Sequence, residues 1–179
     1  RAVLTHAEAR QANAARSNDG YGKLREPVLR FTQWARASKA NSASGQWRLG
    51  NLSDPAARLG QSPLRSPSVF NFYRPGYVPP NTGIARATLV APEFQISTDT
   101  SLPGYVNFMQ KQLVNPNGGL VFNYDAEIAL AADPAALVAR LDRRLTNTAM
   151  SAATGDEIVA TVTALSADNR PAAKPYTAA

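Results

Sequence analysis

The sequence contains no cysteine and a single histidine, His6, among its 179 residues. The missing thiols exclude disulfides, thiolate nucleophiles and thiolate metal sites, yet they leave the compartment open, because exported domains of this size fold without bridges. One histidine beside a helix-start signal reads as a solvated capping-region residue rather than a catalytic base, and it excludes a histidine-rich zinc site. No window sustains the apolar length needed to cross a bilayer, and the first residues carry no signal-peptide pattern. Basic runs are missing as well. Nineteen Lys and Arg against thirteen Asp and Glu give a net charge of +6 spread along the chain, which suits an anionic envelope surface or an acidic partner better than nucleic acid. There is no phosphate-cradling glycine loop and no nucleophile elbow around Ser66 or Ser68. Nothing in the spacing asks for a metal or cofactor.

What the chain does have is helix punctuation. An apolar fraction of 44% supports one core, and the expected fold is mainly α: an irregular multi-helix domain over residues 1–168, with 169–179 as a flexible tail or truncated edge. Thr5 and Glu8 have capping-box spacing and predict a short helix over His6–Arg16. Leu24, Val28, Phe31 and Ala35, broadened by Leu29 and Trp34, predict a core helix over Lys23–Ser38, with Pro27 in its first turn and Arg25 and Glu26 as polar anchors at its start. Residues 39–52 read as a loop tacked down by Trp47 and Leu49; Asp54-Pro55 then opens a short helix through Leu59 that Gly60 stops. Further on, Leu102, Val106, Met109 and Leu113 stripe a helix over Ser101–Val114. Leu120-Val-Phe122 begins either a buried helix or a very short strand, and Tyr124–Ala131 favours helix. Asp133-Pro134 opens a helix to Leu145 with Arg140, Arg143 and Arg144 on its exposed side, and Thr154-Gly-Asp-Glu157 caps a last helix that forms a hairpin with it.

The stretch Gly60–Asp99 interrupts this pattern. Pro63, Pro67, Pro75, Pro79, Pro80 and Pro92 bar a long helix, while Phe70, Phe72, Tyr73, Tyr77 and Phe94 bring apolar area that a linker has no use for. It is a folded crossover, with a short extended element over 83–90 carried by Ile84, Leu89 and Val90. Its candidate binding residues are Arg65, Asn71, Tyr73, Arg74, Glu93, Gln95 and Thr98. The same residue types equally build a structural polar network, in which Arg65 and Glu93 tie two loops together. Glu93 and Asp99 are the candidate acid and base of a hydrolase, with Arg65 or Arg74 steadying an anion.

Three blocks carry a family resemblance: GKLREPVLRF at Gly22–Phe31, SPLRSPSVFNFYRPGYVPP at Ser62–Pro80, and APEFQISTDTSLPGYVNFM at Ala91–Met109. Together with LDRRLTNTAMS before the closing helices, they resemble the C-terminal portion of the bacterial domain-of-unknown-function 1800 family. The resemblance implies a piece of a larger helical, exported protein, periplasmic or extracellular. Its relatives are often encoded beside another exported family related to sulfatases and phosphatases. The long N-terminal helical part of the family and its terminal helix are not in this sequence, so the expectation is a processed fragment with apolar faces that meet other chain segments. The family brings no assigned catalytic residues.

Three readings of function follow. The first is a noncatalytic secreted binding or assembly domain that holds the remainder of its parent protein, another protein chain or an envelope component through the Gly60–Asp99 surface. The second is an envelope-polymer or ester hydrolase. The third is a structural fragment without independent activity.

Overall fold

The computed structural model describes residues 5–7 and 21–167. Apart from its first residues, the expected helix over His6–Arg16 lies outside the described residues, as does the tail at 169–179. The described chain is mainly α and irregular, with two isolated bridges and no sheet among the described residues. It divides into two compact units, Arg1–Arg36 with Ala40–Val121, and Ala37–Lys39 with Phe122–Ala179.

The first unit is built on helix α1 (Pro27–Ala37), the short helix α2 (Gly83–Arg86), a 3-10 helix (Pro92–Ile96) and helix α3 (Ser101–Val114). Helix α1 starts at Pro27 and not at Lys23, because a residue without an N–H is harmless only in the first turn. It buries Pro27, Phe31 and Ala35. The Phe31 ring meets Phe108 of α3 at 5.7 Å with a 57° tilt, a favoured aromatic geometry, and Leu52, Leu59 and Leu120 are also buried.

Helix α3 has the expected bounds but buries a different face. Leu102, Val106 and Leu113 of the predicted stripe are 50%, 59% and 50% exposed, while Ser101, Gly104, Phe108 and Gln112 are buried. The reason is a backbone contact. A Cβ on Gly104 would stand 2.2 Å from the Pro55 carbonyl oxygen and 2.8 Å from Ala56, so the helix lies directly on the turn at 54–58, which only glycine permits. That turn replaces the expected helix through Leu59. Asp54 O accepts from Arg58 N–H at 3.0 Å and from Gly60 N–H at 3.3 Å, and Gly60 at φ +67° stops the chain from coiling further.

Two other expectations change. Residues 83–90 are not extended, because Thr82 caps α2 by accepting from Ala85 N–H at 3.2 Å, and Leu89 N–H returns to Ile84 O at 3.1 Å. Trp47, expected to tack its loop down, is 41% exposed. That loop is tied by buried Leu52 and by the bridge from Asn41 to Val121, which is the very short extended option at 120–122.

The second unit contains α4 (Asp125–Ile128), α5 (Pro134–Leu141), a π-helical turn (Asp142–Thr146) and α6 (Ala152–Ala167). Helix α5 packs against α6 as the expected hairpin. Helix α4 is shorter than the range 124–131, and α5 gives way to the wider turn before Leu145. Arg140 and Arg144, one helical turn apart, do not decorate the surface: they donate to Glu127 Oε1 at 2.7 Å and 3.3 Å, and Arg144 also reaches Ala37 O. Ser151, not Thr154, caps α6, its hydroxyl accepting from Thr154 N–H at 3.2 Å. Burial works to raise the Glu127 pKa, but the Arg140 bond and the charges of Arg140 and Arg144 together outweigh it and hold the carboxyl below its ordinary value.

Replacing Gly104 with alanine should lower stability by about 2–3 kcal/mol, although alanine is the better helix former, because the facing atoms are backbone and cannot turn aside. Urea unfolding followed by circular dichroism measures this. Arg140→Gln should cost about 1–2 kcal/mol near neutral pH. A carboxyl with a depressed folded pKa contributes above its unfolded value, ordinarily 4.5, and loses that contribution as pH falls through the folded one. The difference between Arg140→Gln and the parent, read by hydrogen exchange in α5, should therefore close below pH 4.5.

Candidate functional site

The Pro27 start leaves free amides at the head of α1, and the chain satisfies them with a residue from the turn beyond Gly60. Gln61, 3% exposed, accepts from Val28 N–H at 3.2 Å through Oε1, while its Nε2 donates to the Glu26 carboxylate. The Tyr73 phenol feels the same Glu26 carboxylate. Burial first, then the acceptor and charge of Glu26 and the negative charge of Glu93, push the Tyr73 phenol up to about 12. It stays protonated at ordinary pH.

Glu93 belongs to the 3-10 helix and is 7% exposed. Its carboxylate lies 3.9 Å from the Lys23 ammonium, whose side chain is 79% exposed. This pair sits in the lining of an open cleft of about 630 Å³, formed by the segment 21–24, Pro75, Ile84 and the run 89–94. The lining is mixed, with apolar side chains from Ile84, Leu89, Val90, Pro92 and Phe94 set beside about as much polar surface, the Lys23–Glu93 pair included. Such a surface orients a bound segment by its polar groups and holds it by its apolar ones.

The predicted site residues do not converge on one point. Tyr73 and Glu93 share the cluster with Glu26, Gln61 and Lys23. Gln95 accepts from the Arg74 backbone N–H at 2.7 Å, fastening two parts of the crossover. Thr98 caps α3: it accepts from Ser101 N–H at 3.2 Å while Ser101 Oγ accepts from Thr98 N–H at 2.8 Å. Arg65 is exposed in a turn, and the partner of Glu93 is Lys23. Asn71 is exposed at φ +64°, and Asp99 is exposed in the turn before α3. Lys23 and Gln61 were missed as site residues. Gln61 carried no signal, whereas Glu26 directly before a helix-starting proline did mark a polar anchor.

The fold and cleft define a mainly α protein organised around a proline-rich crossover. The chain belongs to the DUF1800 family, described as "Protein of unknown function (DUF1800)", whose model matches residues 1–178. No curated protein and no solved structure matches it.

A phenol with a raised folded pKa stabilises the fold fully below its ordinary value of 10.0, and that contribution is lost as pH rises through about 12. Of the six tyrosines, Tyr73 should therefore titrate near pH 12 by ¹³Cζ NMR, and Glu26→Gln should bring its midpoint down toward the ordinary value. A Tyr73 midpoint near 10 in the parent protein would contradict the cluster geometry.

Proposed function

We propose that this chain is the C-terminal portion of its family's architecture and acts, in the periplasm or outside the cell, as a binding and assembly domain that holds another polypeptide. The observation that supports the reading is the open cleft, whose mixed lining includes large apolar side chains left at the surface: Leu89 is 36% and Val90 60% exposed. The cleft is large enough for several side chains, and the Lys23–Glu93 pair offers both signs of charge to a backbone. The stripe Leu102, Val106 and Leu113, left outside by the way α3 packs, gives the same unit a second apolar surface.

A hydrolase would need Glu93 and Asp99 to face one substrate. Glu93 is instead buried with Lys23 as its ion-pair partner, and Asp99 is exposed. The geometry favours recognition over that reaction.

Native mass spectrometry of protein purified from its source should show a retained second polypeptide. The paired change Leu89→Asp and Val90→Asp, on side chains that the core does not use, should release it. A parent protein that is monomeric and unaccompanied at both low and moderate salt overturns the reading in favour of a structural segment without independent activity.

A further inference from the structure

The segment 62–74 carries apolar side chains where turns ordinarily carry glycine, asparagine or proline. Two turns follow one another. In the first, Ser62 O accepts from Arg65 N–H at 3.3 Å, with Pro63 and Leu64 at its centre and Leu64 at φ +59°. In the second, Ser68 O accepts from Asn71 N–H and Ser68 Oγ from Phe70 N–H, both at 3.1 Å, with Val69 and Phe70 at its centre. Relative exposure is 104% for Leu64, 95% for Val69 and 57% for Phe70. A leucine in the left-handed region is strained, and Leu64 recovers nothing by burial within this chain. Arg65 and Arg74, both exposed, stand close in sequence to the apolar tips.

We infer that this double turn is a peripheral membrane-docking loop, which seats Leu64, Val69 and Phe70 in the interfacial layer of an anionic phospholipid bilayer while Arg65 and Arg74 engage the headgroups. The inference rests on the reading of the 60–99 crossover as a recognition surface, but on its loop and not on its cleft. Three features favour a bilayer over a folded protein. The tips are convex turns, which a yielding apolar medium accepts without a matching pocket. The Arg65, Phe70 and Asn71 amides are closed by local bonds, so they are not offered to an added strand. The flanking arginines and the net charge of +6 complement an anionic surface. No helix among the described residues is long and apolar enough to cross a membrane, so the docking proposed is to one face of the bilayer.

Vesicles of phosphatidylcholine with about 30% phosphatidylglycerol should sediment the protein, and vesicles of phosphatidylcholine alone should bind it much more weakly. Arg65→Gln with Arg74→Gln should weaken partitioning about 25-fold, roughly fivefold for each charge. Phe70→Ser should weaken it about tenfold. Leu64→Asn is the decisive variant, because asparagine tolerates the left-handed conformation: its thermal stability should equal or exceed the parent's while its partitioning falls about tenfold. The chain lacks cysteine, so Val69→Cys accepts a single environment-sensitive fluorophore, whose emission should shift to the blue on adding the mixed vesicles. Partitioning unchanged in Leu64→Asn and Phe70→Ser, or equal on the two vesicle types, overturns the assignment. So does a blue shift produced by the retained polypeptide and not by vesicles, which would make the loop a protein contact. Failure on vesicles with the second polypeptide still retained overturns the loop alone; vesicle binding without any retained polypeptide supports the loop and overturns the cleft reading.

Discussion

The backbone contact between Gly104 and the Pro55–Ala56 turn decides more of the first unit than any side chain does. With no Cβ at that point, α3 can lie against the turn, and its rotation about its own axis follows. Phe108 then points inward to meet Phe31, Gln112 is fully buried and accepts from Asn117 N–H at 3.0 Å to hold the loop after the helix, and the Leu102, Val106, Leu113 stripe is left outside. An exposed apolar stripe is thus a consequence of how the core closes.

The crossover is specified by polar contacts rather than by hydrophobic burial. Most of its aromatic and aliphatic side chains are half-buried or exposed, whereas Gln61, Ser62, Glu93 and Ser101 are buried. Each polar group that leaves water needs a partner with directional geometry, so a small number of them fixes a proline-rich chain that has no ladder or long helix to guide it. Gln61, itself in the crossover, satisfies an amide of α1 and the Glu26 carboxylate together. Glu93 carries the same cluster into the lining of the cleft. The structural role and the proposed recognition role therefore fall on the same residues. In the second unit Glu127 gathers Arg140 and Arg144 in a comparable way, one carboxylate replacing a larger apolar interface.

Signals that act within a turn or two of chain were legible. Proline at a helix start, the bounds of α3 and the capping role of Asp133, whose carboxylate accepts from Ala136 N–H at 3.0 Å, follow from local backbone geometry. One misplaced cap and one missed cap show the limit. Thr154 and Ser151 are equally good hydroxyl acceptors, and the chain's approach to the helix selects the earlier one. Thr82 made 83–90 a short helix because a cap and a following glycine outweigh three scattered aliphatics. For the site, Tyr73 and Glu93 were legible as polar groups set among aromatics. Lys23 and Gln61 were not, since each meets its partner across 70 and 35 residues respectively.

By itself the sequence determined the mainly α class, the family, the bounds of α3, the capped start of α5 and the proline-rich crossover, because each depends on local torsional preference, hydrogen-bonding chemistry or residue pattern. Only the tertiary structure decided which face of α3 is buried, which charges pair, and which apolar side chains remain at the surface. Those outcomes depend on distances between segments remote in the chain, and a periodic stripe names an apolar face without saying whether this chain has anything to cover it.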